Sequence, residues 1–241
     1  MQDAKLGGTP HFFRPFLLAL FGTYIFFNLG PIFWIIISSL KSRADLFAMP
    51  PKWIFDIDNT GYESVFGVGA ARGTASAYGV TDSLINSVIV SSSGTFLAVL
   101  LGTLGGYVCS RFDFRGKGDF LFFVLSTRML PPVAVLVFYH LMFARLGLAD
   151  TKTGLVIVAI FANVGLATWI MKGFFDGVPK QVEQIAVVSG YSRMYAFVYL
   201  VLPMVRGGIA ATAGFCFIFA WNEFAFASIL TTTQAKTLPV K

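Results

Sequence analysis

The sequence predicts an all-α, polytopic membrane protein. Of its 241 residues 56% are hydrophobic and only 12% are charged, and the mean hydropathy is +0.74, whereas soluble domains carry about 25% charged residues. A spanning helix needs about 20 predominantly apolar residues. Five stretches are long enough, and their apolar residues are continuous rather than alternating with polar ones, which excludes a transmembrane β-barrel. The stretches are 16–40, 84–109, 119–143, 153–171 and 207–230.

The first element is a short N-terminal tail. Residues 1–15 contain no apolar core followed by a small-residue cleavage site, so we expect a basic cytoplasmic tail before a retained first helix and not a cleaved signal peptide. The first span leads into a long polar loop, 41–82. Since one span separates this loop from the tail, we expect the loop to be extracytoplasmic.

The basic residues favour this orientation. Short cytoplasmic loops are enriched in Lys and Arg, and the linker after the second span carries Arg111, Arg115 and Lys117. The 41–82 loop also contains basic residues, which counts in the opposite direction. The net charge of +6 is scattered over the loops without a basic run, so we expect it to face membrane lipid at the surface and exclude nucleic acid as a partner.

The second span contains a G-x-x-x-G pair, Gly102 and Gly106, which permits close contact with another helix. Cys109 and Cys216 both fall inside spans, where a disulfide is not expected. The sequence contains neither metal-ligand spacing of His and Cys nor a glycine-rich phosphate loop. We therefore predict no catalytic residue, no metal site and no ATP site in this chain.

The third and fifth spans contain polar residues that are costly at membrane depth. Arg128 lies beside Pro131 and Pro132, so it either satisfies carbonyls that the prolines leave free or lines a pathway. Asn222 and Glu223 lie in the outer half of the fifth span. They suit either a bond between helices or the hydroxyl groups of a polar ligand.

The stretch VPKQVEQIAVVSGYSRMYAFVYLVLP, residues 178–203, is too polar to span and too regular for a simple linker. Val182, Ile185 and Ala186 predict one apolar helix face. Gly190 interrupts this helix, and Ser192 is a candidate N-cap for a second piece. Two interpretations follow: an amphipathic hairpin packed on its own bundle, or a docking element for another protein.

This stretch resembles the signature of the transmembrane subunits of bacterial binding-protein-dependent ABC importers, in the carbohydrate-uptake branch and close to the maltose-type second permease subunit. The signature reads E-A-A-x-x-x-G and later I-x-L-P. Its register matches Ala186, Gly190, Leu202 and Pro203 and departs at Gln184, Ile185 and Ser189, while Glu183 fits the acidic lead-in. The stretches PIFWIIISSLKSRADLFAMPPKW, NSVIVSSSGTFLAVLLGTLGGYVCSRFDFRGKG and FAWNEFAFASIL are similar to the same branch, so the resemblance covers nearly the whole chain.

The resemblance implies a type I ABC importer transmembrane fold, with five spans here and a sixth beyond the end of this chain. It divides the chain into the tail 1–15, a first helix 16–40, the loop 41–82 and a core 83–241 whose last span begins near 204. Residues 176–202 are then the cytoplasmic coupling segment. The expected ATPase-coupling residues are Glu183, Gln184, Ala186, Gly190 and Ser192, and the expected translocation-pathway residues are Arg128, Asn222 and Glu223.

The resemblance also implies the partners. They are a second permease subunit in a heterodimer, two ATPase subunits that bind ATP and Mg²⁺, and an extracytoplasmic binding protein that delivers a sugar or polyol. Transport would occur by alternating access across the bacterial cytoplasmic membrane. Two other classes stay open from the residues alone: a secondary transporter, which would show an internal repeat, and a membrane-embedded enzyme, which would need a cluster of reactive side chains.

Overall fold

A computed structural model describes residues 13–66, 77–129 and 131–241. All regular secondary structure within these ranges is helical, which confirms the predicted all-α class. The α-helices are Phe13–Ser39 (α1), Arg43–Leu46 (α2), Thr60–Phe66 (α3), Ala77–Arg111 (α4), Lys117–Ser126 (α5), Pro132–Arg145 (α6), Lys152–Asp176 (α7), Gln181–Val188 (α8), Arg193–Tyr195 (α9), Leu202–Met204 (α10), Arg206–Trp221 (α11) and Ala225–Leu230 (α12). Shorter helical turns of other types are Thr127–Met129, Ala196–Val201 and Leu238–Val240.

The chain forms two compact units, Met1–Tyr78 and Gly79–Lys241. In the first unit, the apolar side chains of α1 are exposed around the helix, as expected of a helix surrounded by lipid. After α1, the side chain of Ser42 caps α2, and Asp45 pairs with Lys52 at 2.5 Å. Part of the predicted 41–82 loop, residues 67–76, lies outside the described residues, as does most of the predicted tail.

In the part of the chain that the structure describes, three helical stretches are long and apolar enough to cross a membrane: Pro15–Ser39, Val80–Arg111 and Lys152–Asp176. They correspond to the first, second and fourth predicted spans. Helix α4 begins at Ala77 rather than at 84, because Asp82 and Ser83 end the apolar run without breaking the helix. Two bent helix pairs, Lys117–Met129 with Val133–Arg145 and Arg193–Met204 with Arg206–Trp221, raise the number of candidate spans to five.

The third predicted span is not one helix. Lys117–Met129 and Val133–Arg145 meet at 93°. Pro131 and Pro132 lack the amide hydrogens that would continue the helix, and proline also disfavours helical geometry in the residue before it. The predicted stretch 119–143 therefore consists of α5 and α6 with a break between them.

The fifth predicted span is also interrupted. Helix α11 ends at Trp221, and α12 begins at Ala225 after a short non-helical step. The Glu223 side chain accepts a hydrogen bond from the Phe226 amide at 2.7 Å. This bond satisfies one of the free amides at the start of α12.

The core of the second unit forms where α4 and α11 pack against α7. A methyl group added at Gly106 would lie 2.8 Å from the Lys172 amide nitrogen, and one added at Gly102 would lie equally close to the Ala167 backbone, 2.8 Å from its carbonyl carbon. The predicted close contact of this glycine pair is therefore confirmed. Cys216 of α11 is buried in one apolar cluster with Ala167 and Val99 of α4, and both cysteines are unpaired.

At the start of α7, the Asp150 carboxylate holds the chain that follows α12. It accepts hydrogen bonds from the four successive amides of residues 232–235 and from the hydroxyl groups of Thr232 and Thr233. The Asn86 side chain donates to the Gln234 and Lys236 carbonyls, each at 3.0 Å. Burial raises the pKa of Asp150, but the bonds from Ala235, Gln234, Thr233 and Thr232 outweigh it and hold the pKa well below the usual carboxyl range.

The glycine contact between α4 and α7 yields a first prediction. Gly102→Ala should lower the free energy of unfolding by about 1–3 kcal/mol, because the added methyl group meets backbone atoms that cannot move aside cheaply. Gly214→Ala is the matched control, since a methyl group there meets nothing within 4 Å. Thermal unfolding in detergent should separate the two variants. Equal stability would contradict the close contact.

The Asp150 cluster yields a second prediction. In Asp150→Asn, asparagine is compatible with the positive φ of 53° at this position. Its side-chain NH₂ group, however, would replace one carboxylate oxygen and face the backbone amides, which are donors themselves. We expect the substitution to lower the free energy of unfolding at pH 7 by about 1–2 kcal/mol, since the site is partly exposed. Asp113→Asn, at a carboxylate that is 87% exposed, should have little effect.

The pH dependence of the Asp150→Asn effect has a definite sign. A carboxyl group whose pKa is lowered by folding stabilises the protein at pH values above its unfolded pKa, and this contribution is lost as the pH falls through its folded pKa. The stability difference between wild type and Asp150→Asn should therefore be constant from about pH 8 to pH 5 and shrink in stronger acid. A difference that grew on acidification would contradict the assignment.

Candidate functional site

The polar stretch 178–203 forms the helix–turn–helix that the sequence predicts. Helix α8 is followed by a turn at Gly190, whose φ is +90°, and the Ser192 hydroxyl caps α9 by accepting from the Tyr195 amide at 3.1 Å. The second piece continues through the Ala196–Val201 turns into α10. The positive φ explains the glycine, because a β-carbon is disfavoured in that conformation.

The five predicted coupling residues divide between two sides of this stretch. Gln184, Gly190 and Ser192 are exposed, whereas Ala186 is buried and Glu183 is half-buried against the rest of the chain. The predicted apolar face is also divided. Ile185 is 66% exposed although its neighbour Ala186 is buried, because consecutive helical residues point about 100° apart.

The exposed side carries an apolar patch, which we call the outer patch. Val188 is 89% exposed, the highest value in the patch. The rings of Tyr191, Tyr195 and Tyr199 follow one another at centroid distances of 4.6 and 4.7 Å. The members of the outer patch are Ile185, Val188, Tyr191, Met194, Tyr195 and Tyr199. Contiguous apolar side chains on an otherwise polar element are typical of a surface that contacts another protein or the membrane.

The inner side is fastened to the ends of two membrane helices. Arg111, the last residue of α4, donates through Nε to the Glu183 carboxylate, with the Arg111 side chain only 6% exposed. The remaining Glu183 oxygen accepts from the Tyr107 hydroxyl at 2.7 Å. The Tyr107 ring also packs on Phe175 of α7 and on Phe197 of the second piece, at 5.5 and 4.3 Å between centroids.

The second feature is a cavity of about 510 Å³ within the helix bundle. Its walls come from α5, α6, α7 and α11, with the chain around both helix breaks contributing Arg128, Glu223 and Phe226. Aromatic side chains cover much of the wall, among them Phe161, Phe219 and Tyr139. A cavity of this size and lining, with a few polar groups, is typical of a small-molecule site.

The structure brings two of the three predicted pathway residues to this cavity. Arg128 donates to the Ala162 carbonyl of α7 at 2.7 Å and stacks on Phe219, with its guanidinium carbon 4.1 Å from the ring centroid. It thus binds a neighbouring helix rather than the carbonyls of its own broken span. Glu223 also lines the cavity, whereas Asn222 is exposed, donates to the Ile218 carbonyl of its own helix and lies outside the lining.

Sequence reasoning missed several members of both features. Asn163 lines the cavity and is buried in α7; as a lone amide in an apolar span it was a detectable signal. Tyr139 and Phe219 had no such signal, because aromatic residues are frequent in spans. The sequence identifies Arg111 only as a basic residue of a linker, and nothing local connects it with Glu183, which lies 72 positions further along the chain.

Comparison with known proteins gives consistent matches. Residues 94–240 match the family described as "Binding-protein-dependent transport system inner membrane component". A probable ABC transporter permease protein of Sinorhizobium fredii is 32% identical over 228 residues, covering 94% of this chain and 79% of the relative. A trehalose transport system permease protein of Mycobacterium tuberculosis is 30% identical over 218 residues, covering 89% and 75%.

A solved structure has a similar fold. It is a chain of a bacterial ABC transporter involved in the import of the acidic polysaccharide alginate, and it superposes with a TM-score of 0.75. The two sequences are 22% identical, and the match covers 95% of this chain and 77% of the other. At this identity the likeness concerns the fold.

Proposed function

The chain belongs to the family of binding-protein-dependent transport system inner membrane components, as a permease subunit of an ABC importer in the cytoplasmic membrane, and we propose that it moves a sugar or a polyol inward by alternating access. The type I importer fold expected from the sequence is confirmed by the superposition. ATP hydrolysis in this family lies in separate subunits, so the chain is not itself an enzyme.

The observation that carries the proposal is the two-sided construction of the segment 178–203. Its inner side is bonded to α4 and α7 through Arg111 and Tyr107, while its outer patch is apolar and uncovered in this chain. A hairpin that only packed on its own bundle would bury such side chains. We therefore assign the outer patch, with Gln184, Gly190 and Ser192, to contact with an ATPase subunit.

The cavity supports a second part of the proposal, that this subunit lines the translocation pathway. Arg128, Asn163 and Glu223 supply donors and acceptors, and the aromatic wall supplies apolar faces for the rings of a sugar. Hydrogen bonds fix orientation in such sites, while apolar contact supplies much of the affinity. Asn222 stays a predicted pathway residue at the exposed surface beside the cavity.

The remaining partners follow from the family. We propose a second permease subunit that completes the pathway, two ATPase subunits that bind ATP and Mg²⁺, and an extracytoplasmic protein that delivers the cargo. The loop that begins at residue 41 is then extracytoplasmic, on the side opposite the segment 178–203. A sugar cargo is supported by the trehalose permease among the relatives.

Reconstitution tests this proposal. The chain should copurify with an ATPase subunit. Proteoliposomes that contain the complex, with its ATPase subunits facing the lumen, should import a sugar or polyol when ATP is enclosed inside. A thermal-shift screen of the delivery protein against sugars and polyols selects the compound to use. Purification without any ATPase, or uptake that needs no ATP, would contradict the proposal.

The turn at Gly190 gives a prediction for docking. Gly190→Val should leave the chain inserted in the membrane but weaken ATPase recruitment and abolish cargo-stimulated hydrolysis, because a β-carbon at this φ costs about 1 kcal/mol and a branched side chain more. Gly118→Val is the matched control, since Gly118 lies exposed near the start of α5 without a positive φ. Copurification and ATPase assays give the measurement. If Gly190→Val recruited the ATPase normally, the docking interpretation would be wrong and the segment would be a surface hairpin packed on its own bundle.

The cavity gives a prediction for transport. Glu223→Gln and Arg128→Gln should each reduce uptake about tenfold or more, the effect of losing one charge-assisted hydrogen bond, while assembly with the ATPase stays normal. Asn222→Ala should also lower uptake if the pathway continues past the cavity. Unchanged uptake in this variant would show that the pathway does not reach Asn222. Unchanged uptake in the Glu223 and Arg128 variants would assign both residues to packing alone.

A further inference from the structure

The Arg111 side chain joins three parts of the chain at one point. Its Nε donates to Glu183 of α8, its Nη1 to the Phe175 carbonyl in the last turn of α7, and its Nη2 to the Val178 carbonyl just beyond that helix, the last two at 3.0 Å. All three nitrogens of the guanidinium group are thus in use. Its own backbone belongs to α4, so α4, α7 and α8 meet at this residue.

The bonds that Arg111 makes are of kinds that resist displacement. The Phe175 carbonyl in the last turn of α7 already accepts from the Val178 amide at 3.0 Å, and Arg111 supplies it with a second donor. Glu183 is 17% exposed, and its carboxylate is shared between Arg111 and the Tyr107 hydroxyl. A planar guanidinium group holds several acceptors in a fixed arrangement, which a lysine ammonium cannot reproduce.

Helix α7 connects this point with the cavity. The same helix accepts the Arg111 bond at Phe175 and the Arg128 bond at Ala162, and these two carbonyls are about 20 Å apart along a straight α-helix. Because a helix of this kind moves as a rigid body, displacement of α8 would shift the wall of the cavity. Among the described residues, Tyr107 is the other side chain that bonds α8 to a membrane helix, in addition to the short link 177–180.

We propose that Arg111 is the positioning residue that transmits movement of the segment 178–203 to α4 and α7. With its side chain almost fully buried, it acts through Glu183, the Phe175 carbonyl of α7 and the Val178 carbonyl just beyond that helix. On this view Glu183, one of the predicted coupling residues, couples by facing inward rather than by touching the ATPase. The inference rests on the proposed function for its consequence in transport, but not for the physical attachment itself.

The attachment is tested on the purified full chain by hydrogen exchange. In Arg111→Gln the amides of residues 181–188 should exchange about tenfold faster than in wild type, since opening of the segment no longer breaks charge-assisted bonds. Arg115→Gln is the matched control, because Arg115 is exposed in the linker four positions further on. Equal exchange in the two variants would overturn the inference whatever the protein transports.

The consequence for transport is tested in proteoliposomes that contain the complete complex. Arg111→Gln and Arg111→Lys should bind the ATPase normally and keep ATP hydrolysis within about twofold of wild type, while uptake falls about tenfold. The number of ATP molecules hydrolysed per imported molecule should therefore rise, which a general loss of stability would not cause. Arg111→Lys should show the same defect as Arg111→Gln, because lysine keeps the positive charge but not the planar set of hydrogen-bond donors of the guanidinium group.

The two tests separate the two ways of being wrong. Faster exchange in Arg111→Gln, with a wild-type complex that imports no sugar or polyol, would refute the proposed function and leave the attachment in place. A wild-type complex that imports its cargo, with an unchanged ratio of ATP to cargo in both Arg111 variants, would refute the role of Arg111 and leave the proposed function in place.

Discussion

The structure depends on one constraint: inside lipid the backbone has no water to bond with, so its polar groups must be satisfied by the protein. This constraint makes the long apolar stretches helical and makes every interruption costly. Two helices are interrupted near the cavity, around Pro131 and between α11 and α12, and at both breaks the chain lies against other helices of the bundle rather than in lipid. Arg128 lies beside the first, and Glu223 lies within the second and caps the next helix. Irregular backbone at membrane depth is tolerated where it lines a cavity, and here the two breaks place the polar side chains of Arg128 and Glu223 in the cavity wall.

Helix α7 is the element to which the other features attach. At its start, the Asp150 cluster fixes the chain that follows α12. Along its middle, small residues admit α4 and α11 at close range, and Asn163 lines the cavity. In its last turn, Arg111 donates to the Phe175 carbonyl. A helix of 25 residues is about 37 Å long, enough to connect both sides of a membrane. The same helix that packs the core therefore extends from the cavity to the segment 178–203, and under the proposed function the contacts that stabilise the core are also those that would transmit movement.

The sequence predicted the segment 178–203 well because its determinants are local. Gly190 marks a backbone conformation that other residues avoid, Ser192 bonds an amide three positions away, and proline and glycine delimit the pieces. It predicted the faces of α8 less well, since Ile185 has the composition of a buried residue but points outward. Hydrophobicity alone cannot distinguish a side chain that packs against its own chain from one that is exposed on the surface of the chain.

The sequence by itself determined the all-α membrane class, the number of apolar stretches, the close contact at Gly102 and Gly106, and the helix–turn–helix, because each depends on composition or on neighbours within a turn or two. Only the tertiary structure decided which polar groups meet. It joined Arg111 with Glu183, Asp150 with the amides after α12, and Arg128 with Ala162, and it left Asn222 outside the cavity. These pairs are separated by tens of residues in the chain, and their encounter is fixed by how rigid helices pack, which no local pattern records.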